Sequence, residues 1–238
     1  MPTALITGAN RGLGFGLTEL YAADGWNVIA CAREPEKATA LQKLAASGKG
    51  KVTVKKLDIE DHASIEALAK ELKGQPIDLL LNVAGFYGKR IVSDPGGLGA
   101  FGESDYAEWD RINRINVLGP MKIAEAFVEN VAASGQKKIV SLSSIIGSIG
   151  GNPGGHMYAY RSSKAALNAV MKAMSVDLKD RGITAIPIHP GWVRTDMGGP
   201  NADLSPEESV TGMKKVIDGL TPADSGKFLT YSGETLPW

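Results

Sequence analysis

The N-terminal stretch of the chain joins a short apolar run to an amphipathic helix through a glycine-rich turn. Residues 3–7 predict a buried strand and residues 15–23 a helix, and between them stand Gly8, Gly12 and Gly14 in Gly-x-x-x-Gly-x-Gly spacing. In this context glycines let the backbone approach a pyrophosphate closely, and the helix N-terminus presents free N–H groups. The stretch therefore predicts a dinucleotide site. The spacing is not the commoner Gly-x-Gly-x-x-Gly, and glycines that serve only a tight turn are the alternative.

Strand-like and helical stretches alternate along the whole chain. Strands are predicted at 3–7, 26–32, 52–57, 77–81, 137–143, 183–189 and 226–231, and helices at 15–23, 34–46, 61–72, 104–133, 157–181 and from 205. Such alternation produces a parallel sheet with helices on both faces. We therefore predict an α/β fold in which residues 1–238 form a single domain. Its Rossmann-type doubly wound sheet has about seven parallel strands in the order 3-2-1-4-5-6-7.

Composition limits the partners and the compartment. The 238 residues carry 26 basic and 26 acidic side chains without a long basic block, so neither nucleic acid nor a membrane is expected as a partner. The chain has no run of about 18 apolar residues, and its N-terminus offers no signal peptide. Cys31 is the single cysteine, which suits a reducing compartment. We expect a cytoplasmic protein without a metal site.

Arg33 follows the second predicted strand, where many NAD sites carry an acidic residue. A carboxylate there would repel a 2′-phosphate, whereas a guanidinium can hold one through two hydrogen bonds. Arg11, inside the glycine turn, could add a second positive charge. Both residues favour NADP over NAD, and two solvated surface arginines are the alternative.

Asp58, Asn116 and Ser144 are further candidate site residues, each with an ordinary structural alternative. Asp58 could accept a hydrogen bond from an adenine amino group or cap a turn before Asp61, and the sequence leaves both open. Ser144 ends a strand and could bond a carbonyl oxygen, or serve a turn. Asn116 lies mid-helix, four residues before Pro120, which lacks a backbone donor. A kink there could free Asn116 groups to hold a water, and a tolerated polar residue is the alternative.

Tyr160 and Lys164 stand four residues apart in a predicted helix, so both side chains lie on one face. A tyrosine titrates near 10, and a nearby ammonium favours its phenolate, so the proton is released more readily. A site that hands a proton to a developing alkoxide needs this arrangement. A solvent-facing pair on an ordinary helix is the alternative.

Six motifs with weak individual signals occur in one order along the chain. They are Thr7-Gly8-x-x-x-Gly12-x-Gly14, Asn82-x-Ala84-Gly85, Asn116, Ser144, Tyr160-x-x-x-Lys164 and Pro190-Gly191-x-x-x-Thr195. In this order the chain resembles the short-chain dehydrogenase/reductase family over essentially its full length. The segments 158–161, 189–193 and 237–238 resemble the C-factor-like branch, which includes the sniffer-type carbonyl reductases. Val83 departs from the family pattern, which frequently has a second Asn there, and this puts one local backbone contact in doubt.

The resemblance implies a mechanism. NADPH would lie across the sheet, with Thr195 and the backbone at Val193 holding its carboxamide. Tyr160 would protonate the substrate oxygen and Ser144 would bond it, while Lys164 would bond the nicotinamide ribose and lower the pKa of Tyr160. Asn116 would position a water that returns protons to Lys164. The implied cofactor-binding residues are Gly8, Asn10, Arg11, Gly12, Leu13, Gly14, Arg33, Asp58, Ile59, Asn82, Ala84, Gly85, Tyr160, Lys164, Pro190, Gly191, Val193 and Thr195.

The expected function is NADPH-dependent reduction of an aldehyde, ketone or quinone to an alcohol. The substrate rim is expected to be apolar and to contain Phe86, Tyr87, Ile146, Trp192 and Met197. A signalling protein of C-factor type with little turnover is the alternative, and an alcohol dehydrogenase is disfavoured by Arg33. A homodimer or homotetramer is expected through helices 104–133 and 157–181. The connection 86–104 is expected to border a binding site, and Trp238 to cover a subunit contact or pack on its own domain.

Overall fold

The computed structural model describes residues 1–48, 51–88 and 99–238, and its centre is one parallel sheet of seven strands. The strands are β1 (Thr3–Thr7), β2 (Asn27–Ala32), β3 (Lys51–Lys56), β4 (Leu79–Asn82), β5 (Lys138–Leu142), β6 (Thr184–His189) and β7 (Leu229–Thr230). Their order is β3-β2-β1-β4-β5-β6-β7, so the predicted Rossmann-type fold and strand order are confirmed. Residues 89–98 of the predicted 86–104 connection lie outside the described residues.

Seven α-helices accompany the strands in the described residues. They are α1 (Gly12–Ala23), α2 (Thr39–Ala46), α3 (His62–Glu71), α4 (Tyr106–Asn113), α5 (Gly119–Ala132), α6 (Tyr158–Asp177) and α7 (Pro206–Asp218). Strand β1 divides them between the two faces, because successive side chains of a strand point in opposite directions. Ala4 and Ile6 pack with α1, α2 and α7, whereas Leu5 packs with α3, α5 and α6. None of the described helices combines the length and apolar character needed to cross a bilayer.

The helix predicted over 104–133 is divided by a single π-helical turn, Arg114–Leu118, between α4 and α5. Pro120 cannot donate to the carbonyl of Asn116, and its ring would crowd that carbonyl in α-helical geometry. At the same place Gly119 packs tightly, since a Cβ there would lie 2.8 Å from the carbonyl oxygen of Ile59. The kink expected from Pro120 therefore takes the form of a widened turn.

Two other predicted elements are shorter or broken. The helix predicted over 34–46 is a 3₁₀ turn, Pro35–Lys37, followed after Ala38 by α2. The last strand pairs only through Leu229–Thr230. The Trp238 ring stacks on Phe228 with centroids 5.8 Å apart, so Trp238 packs on its own domain.

Candidate active site

A cleft of about 770 Å³ lies at the carboxyl edge of the sheet, over the ends of β1 to β6. Most of the predicted nucleotide residues form its wall. They are Gly8, Asn10, Arg11, Gly12, Leu13, Gly14, Arg33, Asp58, Ile59, Ala84, Gly85, Tyr160, Lys164, Pro190 and Thr195. The volume is in the range of small-molecule sites, and the position is where open α/β sheets bind ligands.

The glycine turn is built to bring backbone close to backbone. A Cβ on Gly8 would lie 2.9 Å from Ala84 Cα, and one on Gly14 would lie 2.2 Å from the carbonyl oxygen of Gly8. Gly12 begins α1 with a φ of +53°, in the left-handed region. Arg11 precedes it without a side-chain cap, so the first-turn N–H groups of α1 keep their capacity to bind an anion. This cradle fits a pyrophosphate.

One end of the cleft is cationic. Arg33 and Lys37 line it together with the carboxylate of Glu34, and Arg33 is exposed beyond the end of β2. Arg11 forms an ion pair with Asp196 at 3.1 Å, and Lys37 pairs with Glu34. Lys37 was not among the residues predicted from the sequence, although a lysine four positions after Arg33 was a usable signal. Arg33 and Lys37 are cations that fit the 2′-phosphate that distinguishes NADP.

Asp58 serves the turn after β3, and its contact with an adenine amino group stays a prediction. Its Oδ1 accepts from the backbone N–H of Glu60 at 3.0 Å, which fixes the turn after β3, and the residue also lines the cleft. The cap of α3 is Asp61, whose side chain accepts from Ala63 N.

Three residues predicted to contact the nucleotide are absent from the cleft wall. Asn82 is buried and donates through Nδ2 to Ser141 Oγ at 3.3 Å, which ties β4 to β5. Gly191 has a φ of +85°, and a Cβ there would lie 2.3 Å from Leu204 Cδ1. The carbonyl of Val193 accepts from Thr195 Oγ1 at 3.3 Å. In this structure these three residues shape the walls behind the lining residues.

Tyr160 and Lys164 project from the start of α6 into the opposite end of the cleft from Arg33. Lys164 is 5% exposed, and its Nζ lies 5.6 Å from the centroid of the Tyr160 ring and donates to the Leu142 carbonyl at 2.8 Å. The Tyr160 ring packs on Tyr87 at 4.7 Å, and its hydroxyl lies 3.9 Å from Met197 Sδ. The predicted phenol–ammonium face therefore exists.

The expected effect of Lys164 on Tyr160 is not what the structure has. Burial raises the pKa of Tyr160 above its ordinary value, and the phenol of Tyr87 raises it further. Although the ring is only partly buried by surface, it lies deep among protein atoms, and this desolvation favours the neutral phenol. Burial also lowers the pKa of Lys164 to about 8, because the buried ammonium is costly. The lowering of the Tyr160 pKa expected from Lys164 is therefore not found in this structure, where desolvation is the largest cause of the shift.

The Asn116 side chain is engaged and is not free to hold a water. Its Oδ1 accepts from Phe86 N at 2.8 Å, and its Nδ2 donates to Phe86 O at 2.8 Å and to Ser163 Oγ at 3.1 Å. The side chain instead supports the Phe86 segment beside the cleft, and a water held by another Asn116 group stays a prediction. The π-helical turn instead affects the main-chain carbonyl of Asn116. Pro120, four residues later, has no N–H to donate to it.

Ser144 caps the 3₁₀ turn Ile145–Gly147 that follows β5. Its Oγ accepts from Ile146 N at 3.4 Å, so the hydroxyl proton stays available for donation. Ser144 itself is not in the cleft wall, whereas its neighbour Ser143 is, and Ser143 donates to Asn168 Oδ1 at 2.6 Å. Sequence reasoning missed Ser143, since a strand-end serine pair does not reveal which member faces the cleft.

The expected apolar rim is present in part. Phe86 and Met197 line the cleft, and Tyr87 contacts Tyr160. Ile146 and Trp192 are not in the wall, and the Trp192 Nε1 donates to Gly198 O at 2.9 Å.

Comparison with known proteins places this fold and site in a family. The family model described as short chain dehydrogenase matches residues 2–204. C-signal of Myxococcus xanthus is 41% identical over 174 residues, 73% of this chain and 100% of that protein. The carbonyl reductase Sniffer of D. melanogaster has a TM-score of 0.88 at 32% identity, covering 100% of both chains. The NADPH-bound carbonyl reductase from chicken fatty liver has a TM-score of 0.90 at 32% identity, covering 100% of this chain and 99% of that one.

These likenesses extend over the strands that form the cleft as well as over the glycine turn. The resemblance identified from the six motifs is thereby confirmed. The chain belongs to the short-chain dehydrogenase family of oxidoreductases, in the branch represented by C-signal and the sniffer-type carbonyl reductases.

Proposed function

We propose that the protein is an NADPH-dependent carbonyl reductase that converts an aldehyde, ketone or quinone to an alcohol. The observation that carries the proposal is the pairing of Tyr160 and Lys164 in the same cleft as the glycine turn and the Arg33 cation. The likeness to a carbonyl reductase whose structure holds NADPH supports the choice of cofactor.

Bound NADPH would supply the hydride for the carbonyl carbon. The chain's residues would donate the proton, bond the substrate oxygen and bind the cofactor. Tyr160 donates its hydroxyl proton to the substrate oxygen as negative charge develops there, and Ser144 donates a hydrogen bond to that oxygen. Lys164 Nζ, which donates to the Leu142 carbonyl in this structure, would bond the nicotinamide ribose. The Asn116 main chain positions a water that returns protons to Lys164.

Tyr160 and Arg33 are both suited to reduction. A donor must carry its proton at the start of the step, and burial keeps this phenol neutral at physiological pH. Alcohol oxidation would need the phenolate, which the same burial disfavours. Arg33 points the same way, because cellular NADP pools favour reduction.

The surroundings of Tyr160 favour a substrate with an apolar, aromatic body. Phe86 and Met197 line the cleft, and the Tyr87 ring flanks Tyr160. Met197 is 36% exposed and its Sδ lies beside the Tyr160 hydroxyl, so a polarizable side chain covers the place that a carbonyl oxygen would take.

The test uses purified protein, NADPH and a panel of aromatic aldehydes, ketones and quinones, followed by the loss of NADPH absorbance. Turnover is expected with wild type and is expected to fall at least 100-fold in Tyr160→Phe, which keeps the ring. Arg33→Ala and Lys37→Ala should each raise the KM for NADPH about tenfold with little change for NADH, because they remove cations from the phosphate end. Equal activity of wild type and Tyr160→Phe would contradict the proposal.

The second candidate is a nucleotide-binding signalling protein with little turnover, favoured by the 41% identity with C-signal. The presence of Asn116, Ser144, Tyr160 and Lys164 together argues against binding alone, since a site without turnover does not need all four. If Tyr160→Phe leaves NADPH affinity and the cellular role intact, the signalling candidate is favoured. Loss of the cellular role with unchanged affinity favours the enzyme.

We further propose that residues 1–238 act as one domain in the cytoplasm, as a homodimer or homotetramer. The contact would use the helices of 104–133 and 157–181. Leu118, Met121 and Val176 support this, because they expose apolar side chains on those elements. Sedimentation analysis of wild type and of a Val176→Glu variant would test it, and an unaltered monomer in both would contradict it.

A further inference from the structure

One face of α6 donates hydrogen bonds to the segment that carries Ser144. Arg161, Lys164 and Asn168 are spaced i, i+3 and i+7, which places them on one side of the helix. Each donates to a main-chain carbonyl of residues 142–147, between the end of β5 and the 3₁₀ turn. The first half of the helix that bears Tyr160 is therefore hydrogen-bonded to the segment that bears Ser144.

Arg161 bridges the two ends of the connection between Ser144 and Tyr160. Its Nη1 donates to Ile146 O at 3.3 Å, and its Nε donates to His156 O at 3.1 Å. His156 and Met157 have φ values of 66° and 56°, two consecutive left-handed residues that lack glycine's freedom. Such backbone is strained in residues other than glycine and persists only where neighbouring groups hold it. The hydrogen bond from Arg161 to His156 O stabilises this backbone just before Tyr160.

Asn168 is hydrogen-bonded to one residue before Ser144 and to one residue after it. Its Oδ1 accepts from Ser143 Oγ at 2.6 Å and its Nδ2 donates to Gly147 O at 3.4 Å, and Asn168 is 3% exposed. Helix and turn are also in close contact, since a Cβ on Gly147 would lie 2.8 Å from Lys164 Cβ. The position of Ser144 relative to α6 is thus set from both sides.

We propose that Arg161 and Asn168 are positioning residues that set the distance of Ser144 from Tyr160. Neither side chain is in the cleft wall, so an effect on turnover must pass through the groups they hold. The inference rests on the proposed reductase function. A misplacement of about 1 Å of a catalytic group can cost about 100-fold in rate, so loss of one of these holds should be visible in kcat.

The test removes the donors of Arg161 while keeping its apolar stem. Arg161→Met is expected to lower kcat roughly tenfold and to leave the Kd for NADPH within about twofold. The same substitution is then made in Ser144→Ala. If Arg161 acts by positioning Ser144, its removal should cost less than twofold in that background, because coupled residues are not additive. A full tenfold loss in both backgrounds, or no loss in either, overturns the proposal.

Controls separate this inference from general instability and from the proposed function. Arg181→Met removes an ion pair with Glu129 after the other end of α6, and it should leave kcat unchanged. Asn168→Ala should likewise lower kcat in wild type and have little further effect in Ser144→Ala. If Asn168→Ala does not fold, the comparison of Arg161→Met in the two backgrounds decides the question. Arg161→Lys should recover little of the rate, since one ammonium cannot span both carbonyls. A wild type without turnover would refute the proposed function, whereas an active wild type with an unaffected Arg161→Met would refute only the inference.

Discussion

Replacing Lys164 by methionine is expected to stabilise the protein at neutral pH while removing its turnover. Lys164 is 5% exposed, and burial lowers its pKa from 10.5 to about 8. Methionine has a similar length and no charge, so the variant avoids the desolvation of a buried ammonium. The loss of the bond from Nζ to Leu142 O reduces this gain without reversing its pH dependence.

The lowered pKa determines the sign and size of that dependence. Below pH 8 the folded and unfolded chains both carry the protonated amine, so the desolvation cost is fully present. Between pH 8 and 10.5 the folded chain releases the proton while the unfolded chain keeps it, so the stability of wild type rises with pH. One pKa unit corresponds to about 1.4 kcal/mol, so wild type should gain roughly 2.5 kcal/mol on Lys164→Met between pH 7 and pH 10.

The assay is urea unfolding of both proteins, without added nucleotide, at pH 7, 8, 9 and 10. The stability advantage of Lys164→Met should shrink steadily over this range. Tyr160→Phe is the matched control in the same cleft. The pKa of Tyr160 is raised above 10, so the phenol is neutral in both states up to about pH 9 and its difference from wild type should stay flat to that pH. A Lys164→Met difference that does not vary with pH would refute the reasoning.

Two further predictions concern the glycine turn and the π-helical turn. Gly14→Ala should abolish detectable NADPH binding by calorimetry, because its Cβ would lie 2.2 Å from a backbone oxygen. Gly16→Ala is the control in the same helix, where the Cβ meets only the Val210 side chain at 3.2 Å, and wild-type affinity there together with lost affinity in Gly14→Ala is the expected contrast. Asn116→Ala should lower the free energy of unfolding by about 2–4 kcal/mol in urea titrations, since it removes three hydrogen bonds. A loss below 1 kcal/mol would mean that the Phe86 segment does not depend on this side chain.

The architecture was predictable because its signals are local and repeated. Short apolar runs such as Thr3–Thr7 alternate with amphipathic segments, and only a parallel sheet covered on both faces buries both kinds of element. The glycine turn was equally readable, since Gly8 and Gly14 are required by contacts within a few residues or with the adjacent strand end. The caps of α3 and α7 are equally local, since Asp61 accepts from Ala63 N and Ser205 from Glu208 N.

Other features of the site depend on packing between distant segments, which spacing does not express. The Asn116 side chain reaches Phe86, thirty residues away, so its engagement could not be inferred from its helix alone. The pKa of Tyr160 depends on how deeply the side chain is buried among other segments. The i, i+4 spacing predicts that Tyr160 lies near Lys164, but it does not predict this burial. The break at Ala38 is a similar case, because it separates Lys37 from α2 and turns it toward the cleft.

The ionisable side chains are exposed at one end of the cleft and buried at the other, so the two ends differ in function. Arg33 and Lys37 are solvated cations whose charge costs little to maintain, so they can contribute affinity for a phosphate-bearing ligand. At the other end, burial works against charge on both Tyr160 and Lys164. A site that resists ionisation at rest gains most from a reacting group that develops charge there, since that charge meets donors already in place. Substitutions at the cationic end should therefore act on nucleotide affinity, and those at the α6 end on kcat.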